Sequence, residues 1–167
     1  MSNKFVLLLI FLITAVFISG CIDGNNTQAK TTEQALIPTA GLPAGFTYMG
    51  THNIGMDIGG ISVNATEGVY RNGEDDLYIQ VIGTENPGAL FEQYKSDIKE
   101  KFKDRYDPFE EIPLNGHTAT KVTDSTVMNG LSKTVYSITW ATEKSIVIVG
   151  SSSNLQAVTA LATATGH

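Results

Sequence analysis

The chain has 167 residues, eleven basic against seventeen acidic side chains, a net charge of −6 at pH 7 and a single cysteine. Such an acidic balance repels the phosphates of nucleic acids and anionic lipid headgroups, so no nucleic-acid partner and no electrostatic adhesion to a membrane are expected. One cysteine cannot close an internal disulfide, so any folded domain must rest on its core alone.

Met1, Ser2, Asn3 and Lys4 precede an apolar or small stretch from Phe5 to Ile18 whose one polar member is Thr14. This is the layout of an export signal, and it falls short of the about 20 apolar residues that a spanning helix needs. The stretch ends in Ile18, Ser19, Gly20 and Cys21. Those four residues resemble a lipobox, in which the cysteine thiol takes a diacylglyceryl group and the peptidase cuts just before it. The resemblance implies residues 1–20 as a lipoprotein signal peptide and Cys21 as the lipidated first residue of the mature chain. Two acyl chains hold where one only visits, since each buried methylene contributes roughly 0.8 kcal/mol. The mature protein is thus expected to be lipid-anchored on the extracytoplasmic face of the cell membrane. Removal of Lys4 with the signal makes it one unit more acidic.

From Ile22 to about Thr39 the residues are polar, with little apolar periodicity, so residues 21–39 read as a flexible tether. Residues 40–167 have the size of one domain and contain no second boundary. Three Asn-Gly pairs, Asn72-Gly73, Asn115-Gly116 and Asn129-Gly130, supply the positive φ angles of type I′ turns and predict three hairpins. The segment from His52 to Gly68 carries Gly55, Gly59, Gly60 and Gly68 without a phosphate-loop spacing. It reads as a mobile loop or a glycine-kinked hairpin, and Met56, Ile58 and Ile61 would give it an apolar rim for a partner.

Asp76 to Gly83 alternates Leu77, Ile79 and Val81 with Tyr78, Gln80 and Ile82, as a central strand would. Asn86 and Pro87 then supply an N-cap and first turn, and Leu90, Phe91, Tyr94, Ile98 and Phe102 line one helical face. Glu92, Lys95, Lys99 and Lys103 are expected to be solvated decoration opposite that face. Strands follow at Phe109 to Leu114, His117 to Asp124, Leu131 to Thr142 and Ser145 to Ser151, forming an antiparallel meander with Trp140 in the core. Ser153 and Gln156 predict a capping box for a last helix lined by Leu155, Val158, Leu161 and Ala162. The fold class is therefore α+β, an antiparallel sheet packed with two helices.

That layout resembles the PsbP-type sandwich. The closing segments, Tyr136 to Thr142, Ser145 to Gly150 and Asn154 to Gly166, together with the lipobox, are similar to uncharacterised cell-surface lipoproteins of methanogenic archaea. The resemblance implies an archaeal surface protein of a kind that often serves as an accessory subunit. It brings no functional residue with it, and a fold does not carry a function.

No catalytic set is evident. His52 and His117 lack a supporting motif, and Ser151, Ser152 and Ser153 do not form a nucleophile elbow. Zinc would need several Cys or His ligands, so no metal and no cofactor are expected. The carboxylates Glu74, Asp75 and Asp76, and Asp104, Asp107, Glu110 and Glu111, are conceivable calcium loops that turn polarity explains equally well. Two sequons, at Asn25 and Asn64, are candidate glycosylation sites once export is granted. The leading expectation is a non-catalytic module that binds a protein partner or an envelope component. A small-ligand carrier with a cavity between sheet and helix comes second and an envelope hydrolase third. No feature sets an oligomeric state.

Lipidation is directly measurable. Intact-mass spectrometry of the membrane-extracted protein should find a chain beginning at Cys21 with a diacylglyceryl adduct, and Cys21→Ser should retain its leader and lack the adduct. An unmodified native Cys21 would refute the anchor.

Overall fold

A computed structural model describes residues 33–103, 106–128 and 130–167. The described strands are β1 (Phe46–Ile58), β2 (Ile61–Asn72), β3 (Asp75–Gly83), β4 (Phe109–Leu114), β5 (His117–Met128), β6 (Leu131–Ala141) and β7 (Ser145–Ser152). Helix α1 (Pro87–Phe102) lies between β3 and β4, and α2 (Leu155–Ala164) follows β7. All seven strands form one antiparallel sheet in the order β1-β2-β3-β7-β6-β5-β4. The architecture is thus an α+β sandwich, two meanders joined where β3 pairs with β7. Among the described residues no helix is long and apolar enough to cross a membrane.

The two helices cover opposite faces. Val158 and Leu161 of α2 share a core with Leu77, Ile79 and Val81 of β3, Ile138 and Trp140 of β6, and Val147 and Val149 of β7. Leu90, Phe91 and Tyr94 of α1 pack against Ile82, Ile146 and Ile148, and Ile98 and Phe102 against Val122. Strand β7 therefore alternates between two cores, which is why Ile146 to Val149 is a continuous apolar run with every residue buried. Full burial of a Val or Ile contributes roughly 1.5–3 kcal/mol. The run stabilises the middle of the sheet from both sides.

Helix α1 begins as its sequence predicts: the Asn86 side chain accepts the Ala89 N–H at 3.3 Å and Pro87 opens the first turn. Lys95 differs from expectation. Its ammonium lies 5.4 Å from the Phe91 ring centre and 5.9 Å from that of Phe109, tying the helix to β4, and it pairs with Glu92 at 3.2 Å. The last helix is capped by Asn154, whose side chain accepts the Ala157 N–H at 3.2 Å. Ser153 is exposed and does not form the expected capping box. The hydroxyl that supports this turn belongs to Ser152, which accepts the Asn154 N–H and donates to Asp75, each at 3.0 Å.

The domain also reaches further back than the polar composition of 21–39 suggests. Leu36 and Ile37 lie in the α2-side core at 2% and 4% exposure. A Cβ on Gly68 would lie 2.5 Å from Ile37 Cγ2, so the close crossing of this segment over β2 requires glycine. Tyr70, fully buried, donates its hydroxyl to the Pro38 carbonyl at 3.0 Å. Two apolar residues in a polar stretch are too few for a periodic signal, yet they are enough to fasten it.

The first two Asn-Gly pairs lie at hairpin ends, with Asn72 pairing Asp75 and Leu114 pairing His117, and Met128 pairs with Leu131 at a third, where Asn129 lies outside the described residues. Asn115 and Gly116 both have positive φ, at 46° and 87°, as a type I′ turn requires. The first pair is shifted by one residue: Asn72 is still in the strand, Gly73 and Glu74 form the turn, and of these Gly73 alone has positive φ. This is the type II′ pattern. Asn154→Ala is expected to cost about 1 kcal/mol of stability, and Ser153→Ala less than about 0.5 kcal/mol. Urea denaturation of the two variants checks which residue caps the helix.

Candidate functional site

The glycine-rich segment forms the hairpin of β1 and β2, closed by Gly59 and Gly60 at φ of 62° and 73°. Its tip is docked on α1. The Gly59 N–H donates to the Asp97 carboxylate, which also accepts from the Gln93 side chain at 3.0 Å, and these bonds hold the Asp97 carboxyl below its ordinary range. Met56 and Ile58 turn inward against α1, and Ile58 is only 1% exposed. The apolar rim expected at Met56, Ile58 and Ile61 is therefore corrected: Ile61 alone of the three is exposed. An apolar residue every second position on a strand facing a helix is core. Asn64 is exposed on β2, facing away from the Ile54, Met56 and Ile58 side. Cys21 and Asn25 lie outside the described residues.

His52 has gained a carboxylate. Across the β1–β2 pair its Nε2 lies 3.1 Å from Glu67, whose other oxygen accepts from Gln80 of β3 at 2.6 Å. Glu67 is 7% exposed and lies between these two partners. Among the described residues no serine or threonine hydroxyl hydrogen-bonds to His52. The pair ties three strands together.

Of the carboxylates considered for calcium, Asp75, Asp76, Asp107 and Glu110 have protein partners. Asp76 receives two bonds from Arg71, at 2.8 and 3.1 Å, which hold its carboxyl below the ordinary range. Asp107 accepts the Phe109 N–H at 3.1 Å and Glu110 pairs with Lys121. Asp104 lies outside the described residues. Among the described residues there is no group of three or more His, Cys, Asp or Glu side chains placed to hold a metal ion.

A pocket of about 590 Å³ opens on the α2 side of the sheet. Its lining combines His117 at the start of β5, Trp140 near the end of β6, Thr142 and Lys144 of the β6–β7 turn, Leu36, and His167 beyond α2. The framing elements are fixed locally. The Asn115 amide donates to the main-chain oxygens of Thr163 and His167 at 3.0 and 2.8 Å, fastening the β4–β5 turn to the end of α2. The Thr142 hydroxyl accepts the Ser145 N–H at 3.0 Å and closes the other turn. The size lies within the range of small-molecule sites.

Two polar atoms at this pocket are buried without a hydrogen-bond partner, His117 Nε2 and Trp140 Nε1. Their rings are 5.5 Å apart and inclined at 46°. Leaving such a group unpaired costs about 1–3 kcal/mol, and native proteins rarely do so without a reason. The sequence offered His117 only as an isolated histidine and Trp140 only as core; their pairing needs the register of β5 on β6.

A second cavity, of about 250 Å³, lies between α1 and the sheet and is walled by Tyr78, Gln80, Tyr94, Lys101, Asp124 and Ser137 among others. The Tyr94 hydroxyl is pushed up to about 12 by burial and by the Asp124 charge. This space is smaller and mainly seals the underside of α1.

No protein-family model matches the chain, and no curated protein matches it. It is similar to the crystal structure of a GTP binding regulator from Thermotoga maritima, with 16% sequence identity over 80% of this chain and 83% of that one and a TM-score of 0.40. A likeness of that degree carries no functional argument.

Burial disfavours the His117 imidazolium, and His167 nearby adds to this, so His117 titrates below its ordinary value. The folded state then binds that proton less tightly than the unfolded chain. Stability from this source is complete above about pH 6.5 and declines as the pH falls through that value toward the depressed folded pKa. Thermal denaturation at about pH 8 and pH 5.5 should show a smaller acid-induced drop in Tm for His117→Gln than for the native chain. Equal drops would count against this assignment.

Proposed function

We propose that the chain is a lipid-anchored, extracytoplasmic, non-catalytic module of the PsbP-like kind on an archaeal cell surface. Its task is to bind a small ligand in the pocket at His117 and Trp140. The observation that carries this reading is a pocket of ligand size, about 590 Å³, whose lining combines apolar Leu36 and Trp140 with polar His117, Thr142 and Lys144. Docking through the Met56 hairpin has less support, because Met56 and Ile58 pack against α1. A hydrolase also has less support, because His52 is coupled to Glu67 without a hydroxyl nucleophile among the described residues.

Trp140 is the chain's one tryptophan, so its emission reports on the pocket alone. A chemically diverse set of small molecules, titrated against the full-length chain in detergent micelles, is expected to contain members that change this emission saturably. His117→Phe, which keeps the ring contact and removes the nitrogens, should weaken such binding roughly tenfold, the equivalent of one lost hydrogen bond. Absence of any saturable change across the set would overturn the ligand-binding reading.

A further inference from the structure

Asn86, Asn115 and Asn154 use their side chains to cap helices or fasten a turn. Asn64 does nothing of the kind. It lies within β2, where asparagine is a poor strand former, it is exposed, and among the described residues its amide has no hydrogen-bond partner. Its partner across the β1–β2 pair is Gly55. This glycine has no positive φ, lies away from the bulge at Tyr48 and Gly50, and would carry a Cβ with nothing within 4 Å. Neither backbone conformation nor packing inside the domain requires glycine there, and a glycine within a strand then marks a place where something from outside approaches closely. Ser62 and Thr66 share the Asn64 face of β2, and Asn53 and Asp57 share the Gly55 face of β1. All four are small and polar. The other face of this hairpin packs on α1 through Ile54, Met56 and Ala65, and the α2-side core takes Phe46, Tyr48 and Tyr70 from the end far from Gly59 and Gly60.

Asn64, Ala65 and Thr66 form a sequon. Given the extracytoplasmic placement proposed above, and independently of the pocket, we infer that Asn64 carries an N-linked glycan whose first sugar lies over Gly55. In the transfer the Asn64 amide nitrogen bonds to the anomeric carbon of an oligosaccharide carried on a lipid phosphate. The bond from that carbon to the phosphate oxygen breaks, the lipid phosphate leaves, and one amide proton is released. Facing residues of an antiparallel pair stand about 4.5–5.5 Å apart, so a sugar on Asn64 reaches the space that a side chain at position 55 would fill. The Thr66 hydroxyl, which the sequon requires, donates to Glu33 at 3.1 Å in the folded domain. The glycan is therefore added before residues 33–37 dock on β2, and the outward setting of Asn64 lets the domain close without burying it.

The full chain from its native membranes is digested, and the peptides spanning residue 64 are read by mass spectrometry together with the lipid adduct on Cys21. Asn64 is expected to carry a saccharide on most copies. Asn64→Gln and Thr66→Ala should lose it, and Thr66→Ser, which keeps the hydroxyl, should retain it. An unmodified Asn64 in a chain whose Cys21 is lipidated overturns the glycan and leaves export standing. Absence of both modifications overturns both, and a glycan without the lipid sustains the glycan and refutes the anchor alone. The seat over Gly55 has a separate readout. Gly55→Val, a better strand residue, should raise the Tm of the unglycosylated Asn64→Gln chain by roughly 2–4 °C and should not raise that of the glycosylated chain. Equal shifts in the two would overturn the seat.

Discussion

Strand β7 is the constraint on which the rest of the structure depends. It pairs with β3 on one side and β6 on the other, and so joins the two meanders into one sheet. It is also covered on both faces, Ile146 and Ile148 by the α1 side and Val147 and Val149 by the α2 side. A strand in that position has no face on which a polar residue is tolerated without a partner. Around it the sheet can be more permissive, and toward its edges it is. Strand β1 is half exposed along its length, and β4 carries Glu110, Glu111 and Pro113. Charges and a proline blunt that edge against pairing with another chain.

The pocket follows from the ends of this arrangement. Helix α2 is ten residues long, and β6 and β7 run on to the turn at Thr142 to Lys144. Beyond the end of the helix Leu36 and His167 line the space over the sheet face that carries Trp140 and His117. Other buried polar side chains are matched: Glu67 by His52 and Gln80, Thr139 by the Val147 carbonyl, Tyr70 by Pro38. Two buried ring nitrogens, of His117 and Trp140, have no partner among the described residues.

How much was legible depended on whether a residue's role is set by its neighbours in sequence or in space. The helix from Asn86 onward and the strands from Phe109 to Ser152 followed from periodicity, because each buries one regular face. Strand β1 did not, since Gly50, Asn53 and Gly55 break its alternation and an edge strand has little to bury. Ile58 looked like part of a surface rim for the same reason: its burial is supplied by α1, some thirty residues later. Asn154 displaced Ser153 as cap by one position, a shift that helix-start signals cannot resolve.

By itself the sequence determined the local elements, their turns and the acidic surface, all of which depend on the spacing of apolar side chains, on glycine's access to positive φ and on the count of charges. The tertiary structure decided which face each helix covers, that Leu36 and Ile37 belong to the core, and that His117 and Trp140 share a pocket. Those outcomes depend on the register of β5 on β6 and of β7 on β3, set by contacts between residues far apart in the chain. Burial and pairing of a polar atom are properties of such contacts, and no window of sequence contains them.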